Sequence, residues 1–161
     1  MKKLIVVRHA KSSWEHHVID HERPLNDRGL DDAHKVSKYI KNKLNPDLVL
    51  SSDALRAKST ANIFISNLGI DTNKVHLNHD LYDFSGENLV RVIKSCNDID
   101  NELMVFGHNH AITYFVNKYG DQYIDNVPTC GVVIMEFDIL HWGHLKSGKT
   151  INTIFPRDLK H

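Results

Sequence analysis

Arginine and histidine side chains follow three short apolar segments of this sequence, directly after two of them and a few residues beyond the third. The residues at these positions are Arg8, His9, Arg56 and His108. Guanidinium groups bind phosphate oxygens in bidentate pairs, so two arginines can neutralise a dianionic phosphoryl group without a metal ion. Two imidazoles beside them add hydrogen bonds and a possible nucleophile. If the fold brings the four side chains together, they indicate phosphoryl chemistry.

Alternating apolar and amphipathic segments predict the elements that would position these side chains. The predicted strands are Leu4–Val7, Asp47–Ser51, Val75–Leu77 and Leu103–Phe106, followed by a terminal hairpin of Gly131–Ile139 and Ile151–Phe155. Helical stripes lie between the strands, the first capped by Asn26 and carrying Leu30, Ala33, Val36, Ile40 and Leu44, the second closed by Gly69, the third capped by Ser85 and the fourth ending at Gly120. This alternation predicts an α/β three-layer sandwich around a mostly parallel sheet. Ligands bind beyond the carboxyl ends of the strands in such sheets, where the four residues would meet.

Bulk composition narrows the classes of function. The 161 residues predict a single domain over 1–161, and 20 basic and 20 acidic residues cancel, which gives no footprint for nucleic acid or a membrane surface. No run approaches the roughly 20 apolar residues that a membrane span needs. Cys96 and Cys130 stand apart without a CxxC motif, which predicts reduced thiols and a cytoplasmic protein.

The segment GHLKSGKT, residues 143–150, matches the phosphate-binding loop pattern of nucleotide hydrolases. That loop must follow a strand and open a helix, whose N-terminus meets the phosphates. Here INTIFP follows, with β-branched residues and then a proline. We therefore expect the exposed turn of a hairpin and no nucleotide site.

Three short motifs that contain the four central residues resemble the signature of a known family. RHA at 8–10, SSDALRA with Arg56, and GH at 107–108 resemble the signature of the histidine phosphatase superfamily, which has the phosphoglycerate-mutase-like fold. RPLNDRG at 23–29 and the absence of a large cap insertion are similar to the SixA-type phosphohistidine phosphatases. The resemblance runs from residue 4 to about residue 116. It implies a phosphatase that needs no metal and no other cofactor.

The resemblance also implies roles for the four residues. His9 would attack phosphorus and form a phosphohistidine intermediate, while Arg8 and Arg56 would hold the phosphoryl oxygens and a protonated His108 would donate to them. Water would then hydrolyse the intermediate. The neighbouring arginines favour the neutral form of His9 that attack requires.

Four further residues are weaker candidates. Asp83 could be a general acid for the leaving group, or a loop carboxylate that caps a turn. Lys11, Ser12 and Arg23 are candidates for substrate binding at the pocket rim. Lys11 could equally be a solvated side chain, and Arg23 could reach the phosphate or pair with Asp20.

The leading hypothesis is a phosphatase that acts on phosphohistidine in a partner signalling protein, since a site without a cap would admit a folded domain. A small phosphorylated metabolite, hydrolysed with Asp83 as general acid, is the alternative substrate class. A non-catalytic phosphoprotein-binding module would retain the arginines but would not need His9. A metallohydrolase is suggested by His16-His17, Asp20, His21 and His108-x-His110, although no HExxH motif supports it.

Overall fold

A six-stranded sheet forms the centre of the molecule in the computed structural model, which describes residues 1–159. The strands are β1 (Lys2–Arg8), β2 (Leu48–Ser51), β3 (Val75–Leu77), β4 (Glu102–Gly107), β5 (Val132–Phe137) and β6 (Lys149–Ile154), arranged in the order β3-β2-β4-β1-β5-β6. Strand β1 pairs with β4 in parallel, as does β2 with both β4 and β3. Strand β5 is antiparallel to β1 and to β6. The sheet is therefore mostly parallel with a C-terminal antiparallel hairpin, which confirms the predicted fold class.

Four helices cover the two faces of the sheet. They are α1 (Asp27–Ile40), α2 (Leu55–Leu68), α3 (Glu87–Lys94) and α4 (Ala111–Tyr119). Side chains alternate along a strand, so neighbouring residues of β1 enter different cores. Ile5 and Val7 pack in the core that includes residues of α1 and α2, whereas Leu4 and Val6 pack in the core that includes residues of α3 and α4. Burial on both faces explains why β1 is a continuous apolar run.

The helix ends agree with the sequence at three positions, Asn26, Gly69 and Gly120, the last of which follows α4 as its C-cap residue, and differ at others. Asn26 caps α1, since its side chain accepts a hydrogen bond from the Gly29 amide, and Gly69 ends α2 in the left-handed conformation with φ of 70°. Helix α1 stops at Ile40, so the predicted extension to Leu44 is wrong, and Leu30 is exposed because it lies off the buried face. The Ser85 cap is also wrong, for a reason given below.

The segment that matches a nucleotide-binding loop leads into a strand. Residues Trp142–His144 form a short 3-10 turn, and β6 begins at Lys149. Because a strand and not a helix follows this loop, no helix N-terminus faces it as a phosphate-binding loop requires, as expected.

Helix length and polarity also bear on membranes. Within residues 1–159, the structure contains no helix both long enough and apolar enough to cross a bilayer.

Gly29 marks a close approach between α1 and the segment that leaves β1. A Cβ built on Gly29 would lie 2.1 Å from the backbone oxygen of Lys11. The Asn26 amide donates to that same oxygen at 3.0 Å, so the start of α1 holds the chain just beyond His9. The glycine of RPLNDRG is thus required by contact with the main chain.

We expect Gly29→Ala to lower the free energy of unfolding by about 1–3 kcal/mol, since backbone must move to admit the methyl group. Denaturant unfolding monitored by circular dichroism measures this change. Gly143→Ala is the matched control, because its Cβ would meet its nearest neighbour at 3.8 Å. Equal stability of the two variants would contradict the proposed contact.

Candidate active site

The carboxyl ends of three neighbouring strands bring the four predicted residues together. Strand β1 ends at Arg8, and His9 follows it. His108 follows β4, the neighbour of β1, and the His9 amide donates to the Gly107 oxygen at 3.1 Å. The His9 and His108 rings lie 5.2 Å apart between centroids. Arg56 enters from the first turn of α2, which follows β2.

His9 is buried with one ring nitrogen committed to the backbone. Its Nδ1 lies 2.7 Å from the Ala10 carbonyl oxygen, which can only accept, so Nδ1 carries the proton and Nε2 keeps its lone pair. The pKa of His9 is lowered to about 4, chiefly by burial; the hydrogen bond to the Ala10 carbonyl opposes this shift, and the charges of Arg56 and Arg8 add to it. His9 is therefore neutral at pH 7 and suited to nucleophilic attack through Nε2.

A buried threonine ties the exit of β1 to α2. The Thr60 hydroxyl accepts from the Ala10 amide at 2.9 Å and donates to the Arg56 carbonyl oxygen at 2.8 Å. This hydroxyl is fully buried and links the segment after His9 to the helical turn of Arg56. Sequence reasoning missed Thr60, although its position one turn after Arg56 could have indicated it.

The Arg8 guanidinium donates a hydrogen bond through one nitrogen, while another of its nitrogens has no partner among the described residues. Its Nη1 donates to the Val127 oxygen at 2.8 Å. Its Nε is buried and has no hydrogen-bond partner among the described residues. Buried donors are almost always satisfied, so an unpaired one in an anion pocket is a donor available to a ligand oxygen.

The Asp20 carboxylate pairs with the guanidinium groups of both Arg23 and Arg56. Arg56 donates to its backbone oxygen at 2.7 Å and to its Oδ2 at 2.9 Å, and Arg23 donates to its Oδ1 at 3.1 Å. The Tyr82 hydroxyl donates to Oδ2 at 2.5 Å. Partial burial raises the pKa of Asp20, but the hydrogen bonds from Tyr82 and the arginines outweigh it and hold that pKa well below its usual range. The site thus already binds a carboxylate where an anionic ligand would bind.

Arg23 is a buried partner of Asp20 and of the segment after His9. Its Nε donates to the Ser13 oxygen at 3.1 Å and its Nη2 to the Ser12 hydroxyl. Its guanidinium stacks on the exposed Trp14 indole, 3.2 Å from the ring centroid. Of the two roles weighed for Arg23, the structure places it in the pair with Asp20, close enough to His9 for its charge to lower the pKa of that imidazole.

Lys11 and Ser12 lie beside the pocket. Ser12 contacts Arg23, as described, whereas the Lys11 side chain is exposed. Both line an open groove with Trp14 and the start of α1, and the lining of that groove includes none of the four central residues. Ser12 therefore supports the pocket through Arg23, and Lys11 lies farther out.

His108 differs in protonation from the sequence-based expectation. Its Nε2 lies 2.8 Å from the Ser52 hydroxyl, and its Nδ1 is buried without a partner among the described residues. Burial lowers the pKa of His108 to about 2, assisted by the charges of His9 and Arg56. The imidazole is neutral in the free protein, so the prediction of a protonated His108 is wrong for this state. A bound dianion would offset the burial and favour protonation.

Asp83 is a capping residue. Its Oδ1 accepts from the Ser85 amide and hydroxyl at 3.1 Å each, and its Oδ2 accepts from the Gly86 and Leu89 amides at 3.0 Å each. Burial raises its pKa, but these hydrogen bonds prevail and lower it. A general acid needs a raised pKa and a free oxygen. The contacts of Asp83 therefore favour the capping role, one of the two that the sequence left open. The N-cap residue of α3 is Gly86 rather than Ser85, and it is the Asp83 carboxylate that accepts from the Leu89 amide in the first turn.

Two histidines outside the pocket share a carboxylate. Asp53 Oδ1 lies 2.8 Å from His21 Nε2 and 3.0 Å from His79 Nδ1. One possible ligand atom from each residue lies within 4.8 Å of the others. Tyr82 contacts both this cluster and the pocket, with its ring 5.0 Å from that of His21 and 5.3 Å from that of His108. The sequence analysis named His21 in its metallohydrolase alternative, among other partners, but missed Asp53 and His79, which lie on two other segments.

Comparison with known proteins places this geometry in a family. The model of the histidine phosphatase superfamily, branch 1, matches residues 4–89. The chain belongs to this superfamily. The resemblance noted in the sequence is thereby confirmed, and residues 4–89 contain Arg8, His9 and Arg56.

Relatives extend the match over the rest of the chain. An uncharacterized chloroplastic protein of Arabidopsis thaliana is 33% identical over 118 residues, which cover 67% of this chain and 54% of that protein. The chain thus spans about half the length of the plant relative. The protein histidine phosphatase SixA complexed with tungstate superposes with a TM-score of 0.79 at 19% identity, over 98% of this chain and 99% of that one. A phosphoglycerate mutase from Bacillus anthracis superposes with a TM-score of 0.65 at 17% identity, over 83% and 87%. These structures confirm the phosphoglycerate-mutase-like fold.

We expect Asp83→Ala to lower the free energy of unfolding by about 1–2 kcal/mol, because α3 loses its cap, and to leave kcat/KM for a phosphomonoester within a few-fold of wild type. Loss of a general acid would instead cost about 10²–10⁴-fold. Asp71→Ala is the control for stability, since Asp71 caps only a short exposed turn. A fall in kcat/KM of a hundredfold at unchanged stability would restore the general-acid role.

We expect His9→Gln to flatten the pH dependence of stability between about pH 6.5 and pH 4. Folded His9 is neutral in this window because its pKa is about 4, whereas the unfolded chain takes up a proton near pH 6.5, so the free energy of unfolding falls as the pH falls. Removing this one proton should reduce the slope by up to about 1.4 kcal/mol per pH unit. Urea unfolding at several pH values measures it. The exposed His34→Gln control should keep the wild-type slope, and an unchanged slope in His9→Gln would contradict the neutral buried imidazole.

Proposed function

We propose that this protein is a metal-independent phosphatase that transfers the phosphoryl group to His9 and then to water. The observation that carries the proposal is the neutral, buried His9 with its proton on Nδ1, surrounded by the guanidiniums of Arg8 and Arg56. In this arrangement the chain itself supplies both the nucleophile and the positive charge that stabilises the phosphoryl oxygens. We also propose that residues 1–161 act as a single domain without a large cap.

Binding requires exchange of one anion for another. The phosphoryl dianion displaces the Asp20 carboxylate from Arg56 and accepts from the unpaired Nε of Arg8. Its second negative charge gives it an electrostatic advantage over the carboxylate. His108 lies 5.2 Å from His9 between ring centroids, and its unpaired Nδ1 can share or gain a proton on the phosphoryl oxygens.

Chemistry then proceeds in two displacements. His9 Nε2 forms a bond to phosphorus as the bond from phosphorus to the leaving group breaks, and the arginines stabilise the charge on the equatorial oxygens. Water attacks the phosphohistidine, the P–Nε2 bond breaks, and inorganic phosphate leaves. The Ala10 carbonyl keeps the same imidazole tautomer throughout, so His9 is ready for the next cycle.

The leaving group points to a substrate class. Asp83 is fully used as a cap, and the pocket residues described above include no other carboxyl group with a raised pKa. An imidazole leaves phosphorus with less proton assistance than an alkoxide does. We therefore propose phosphohistidine in a partner protein as the substrate, which agrees with the likeness to SixA, named a protein histidine phosphatase. The tungstate bound to that protein is, like phosphate, a tetrahedral oxyanion.

We expect His9→Ala to reduce kcat by about 10³-fold or more, because attack on phosphorus requires Nε2. Rapid quenching of wild type with a radiolabelled substrate should trap an acid-labile phosphoryl group on His9. The His34→Ala control, an exposed histidine on α1, should behave as wild type. Full activity of His9→Ala would rule out the nucleophile.

A substrate panel measured in EDTA distinguishes the remaining hypotheses. We expect kcat/KM to be highest for a phosphohistidine protein, lower for p-nitrophenyl phosphate and lowest for sugar phosphates. A preference for sugar phosphates would favour the small-molecule phosphomonoesterase. Phosphoprotein binding without turnover would favour a binding module, and activity that disappears in EDTA and returns with a divalent ion would favour a metallohydrolase.

A further inference from the structure

Three segments that are distant in sequence converge at the rim of the pocket. His21 lies in the 3-10 turn Asp20–Glu22, Asp53 lies between β2 and α2, and His79 begins the 3-10 turn His79–Leu81. Their side chains direct two imidazole nitrogens at one carboxylate, at 2.8 and 3.0 Å from Asp53 Oδ1. We propose that His21, Asp53 and His79 form a binding site for a divalent transition-metal ion, with Zn²⁺ as the expected occupant.

The donor set and its spacing suit this ion. Two imidazole nitrogens and one carboxylate oxygen are ligands that Zn²⁺ prefers, whereas Mg²⁺ and Ca²⁺ prefer oxygen ligands. In a tetrahedral zinc site with bonds of about 2.0–2.1 Å, neighbouring ligand atoms lie about 3.3 Å apart. The two distances to Asp53, 2.8 and 3.0 Å, need to grow by a fraction of an ångström. The three ligand atoms all lie within 4.8 Å of one another, so the two imidazoles close around the ion by at most a rotamer adjustment of the exposed His79. The ion would replace the protons that the histidines share with Asp53.

The surroundings favour a metal site over a simple ion pair. An exposed pair of one histidine and one carboxylate contributes little to stability, and a second histidine on the same carboxylate adds little more. Convergence of both rings is instead maintained by Tyr82, whose ring lies 5.0 Å from His21 and 5.7 Å from His79. The His79 side chain is 70% exposed, so the ion and a water as fourth ligand can enter.

The position of the cluster assigns the ion a role outside the chemistry. The cluster shares no residue with the four central side chains, and the Tyr82 ring packs 5.0 Å from that of His21 and 5.3 Å from that of His108. We therefore assign the ion no part in the displacement at His9. It would instead fasten the Asp20–Glu22 turn, and with it Asp20, to the start of α2. Its removal by EDTA therefore leaves hydrolysis in place, which keeps this proposal separate from that of the phosphatase reaction.

Zinc uptake by the full chain tests the site without any measurement of turnover. Zn²⁺ is titrated in competition with a chromogenic chelator, and the Zn²⁺ content is counted by elemental analysis. We expect one Zn²⁺ per wild-type chain, and at least about tenfold weaker binding in His79→Ala and in Asp53→Asn. Mg²⁺ should not compete. His141→Ala is the matched control, since His141 also pairs with an aspartate, Asp98, at 2.9 Å, and it should bind as wild type.

Thermal unfolding gives a second readout. Zn²⁺ should raise the Tm of the wild type and of His141→Ala but not of His79→Ala, because an ion that binds only the folded chain stabilises it. The exposure of His79 makes its replacement compatible with folding, which circular dichroism verifies. Absence of Zn²⁺ uptake by the wild type, or equal uptake by His79→Ala, would overturn the proposal.

Discussion

The pairing of Asp20 with two buried arginines is the interaction on which the pocket depends. Arg56 is 3% exposed and Arg23 is 7% exposed, and a buried charge without a partner would cost several kcal/mol. Asp20 offsets that cost with both carboxylate oxygens and its backbone oxygen. A protein that binds phosphate must keep such positive charge buried even when no phosphate is present. In the structure Asp20 fills this role, and in the proposed mechanism it is the anion that a phosphoryl group displaces.

The sheet contributes precision to this arrangement. Parallel pairing in register sets Arg8 opposite Gly107, so His9 and His108 leave neighbouring strands at the same level. The Thr60 hydroxyl joins this edge to the turn of α2 that carries Arg56. Gly29 allows α1 to press on the chain just beyond His9. Fixed donors of this kind need little reorganisation when charge develops on a phosphoryl group.

Sequence reasoning reached the fold and the four central residues because both depend on local patterns. Apolar runs give the strands, and the rule that ligands bind at the carboxyl ends of parallel strands predicts which side chains meet. The protonation of His108 depends on burial and on the charges around it, which only coordinates reveal. Asp83 could be a cap or an acid, and the choice rested on four hydrogen bonds from the loop and the start of α3.

The cluster of His21, Asp53 and His79 was beyond the reach of such patterns. Its members belong to short irregular segments with no periodicity, and their meeting depends on how two 3-10 turns pack beside α2. Arg23 is an intermediate case, since its pairing with Asp20 was one of two options. Contacts between loops are thus the part of this molecule that spacing alone does not encode.

The stacking of Trp14 on Arg23 gives the protein an optical property. Trp14 is 80% exposed. The other tryptophan, Trp142, is fully buried in the core that includes residues of α3 and α4. Any rearrangement of the Arg23–Asp20 pair alters the electrostatic environment of one indole and spares the other. If a phosphoryl group displaces Asp20 as proposed, the intrinsic fluorescence of Trp14 would therefore change on anion binding, while that of the buried Trp142 would stay nearly constant.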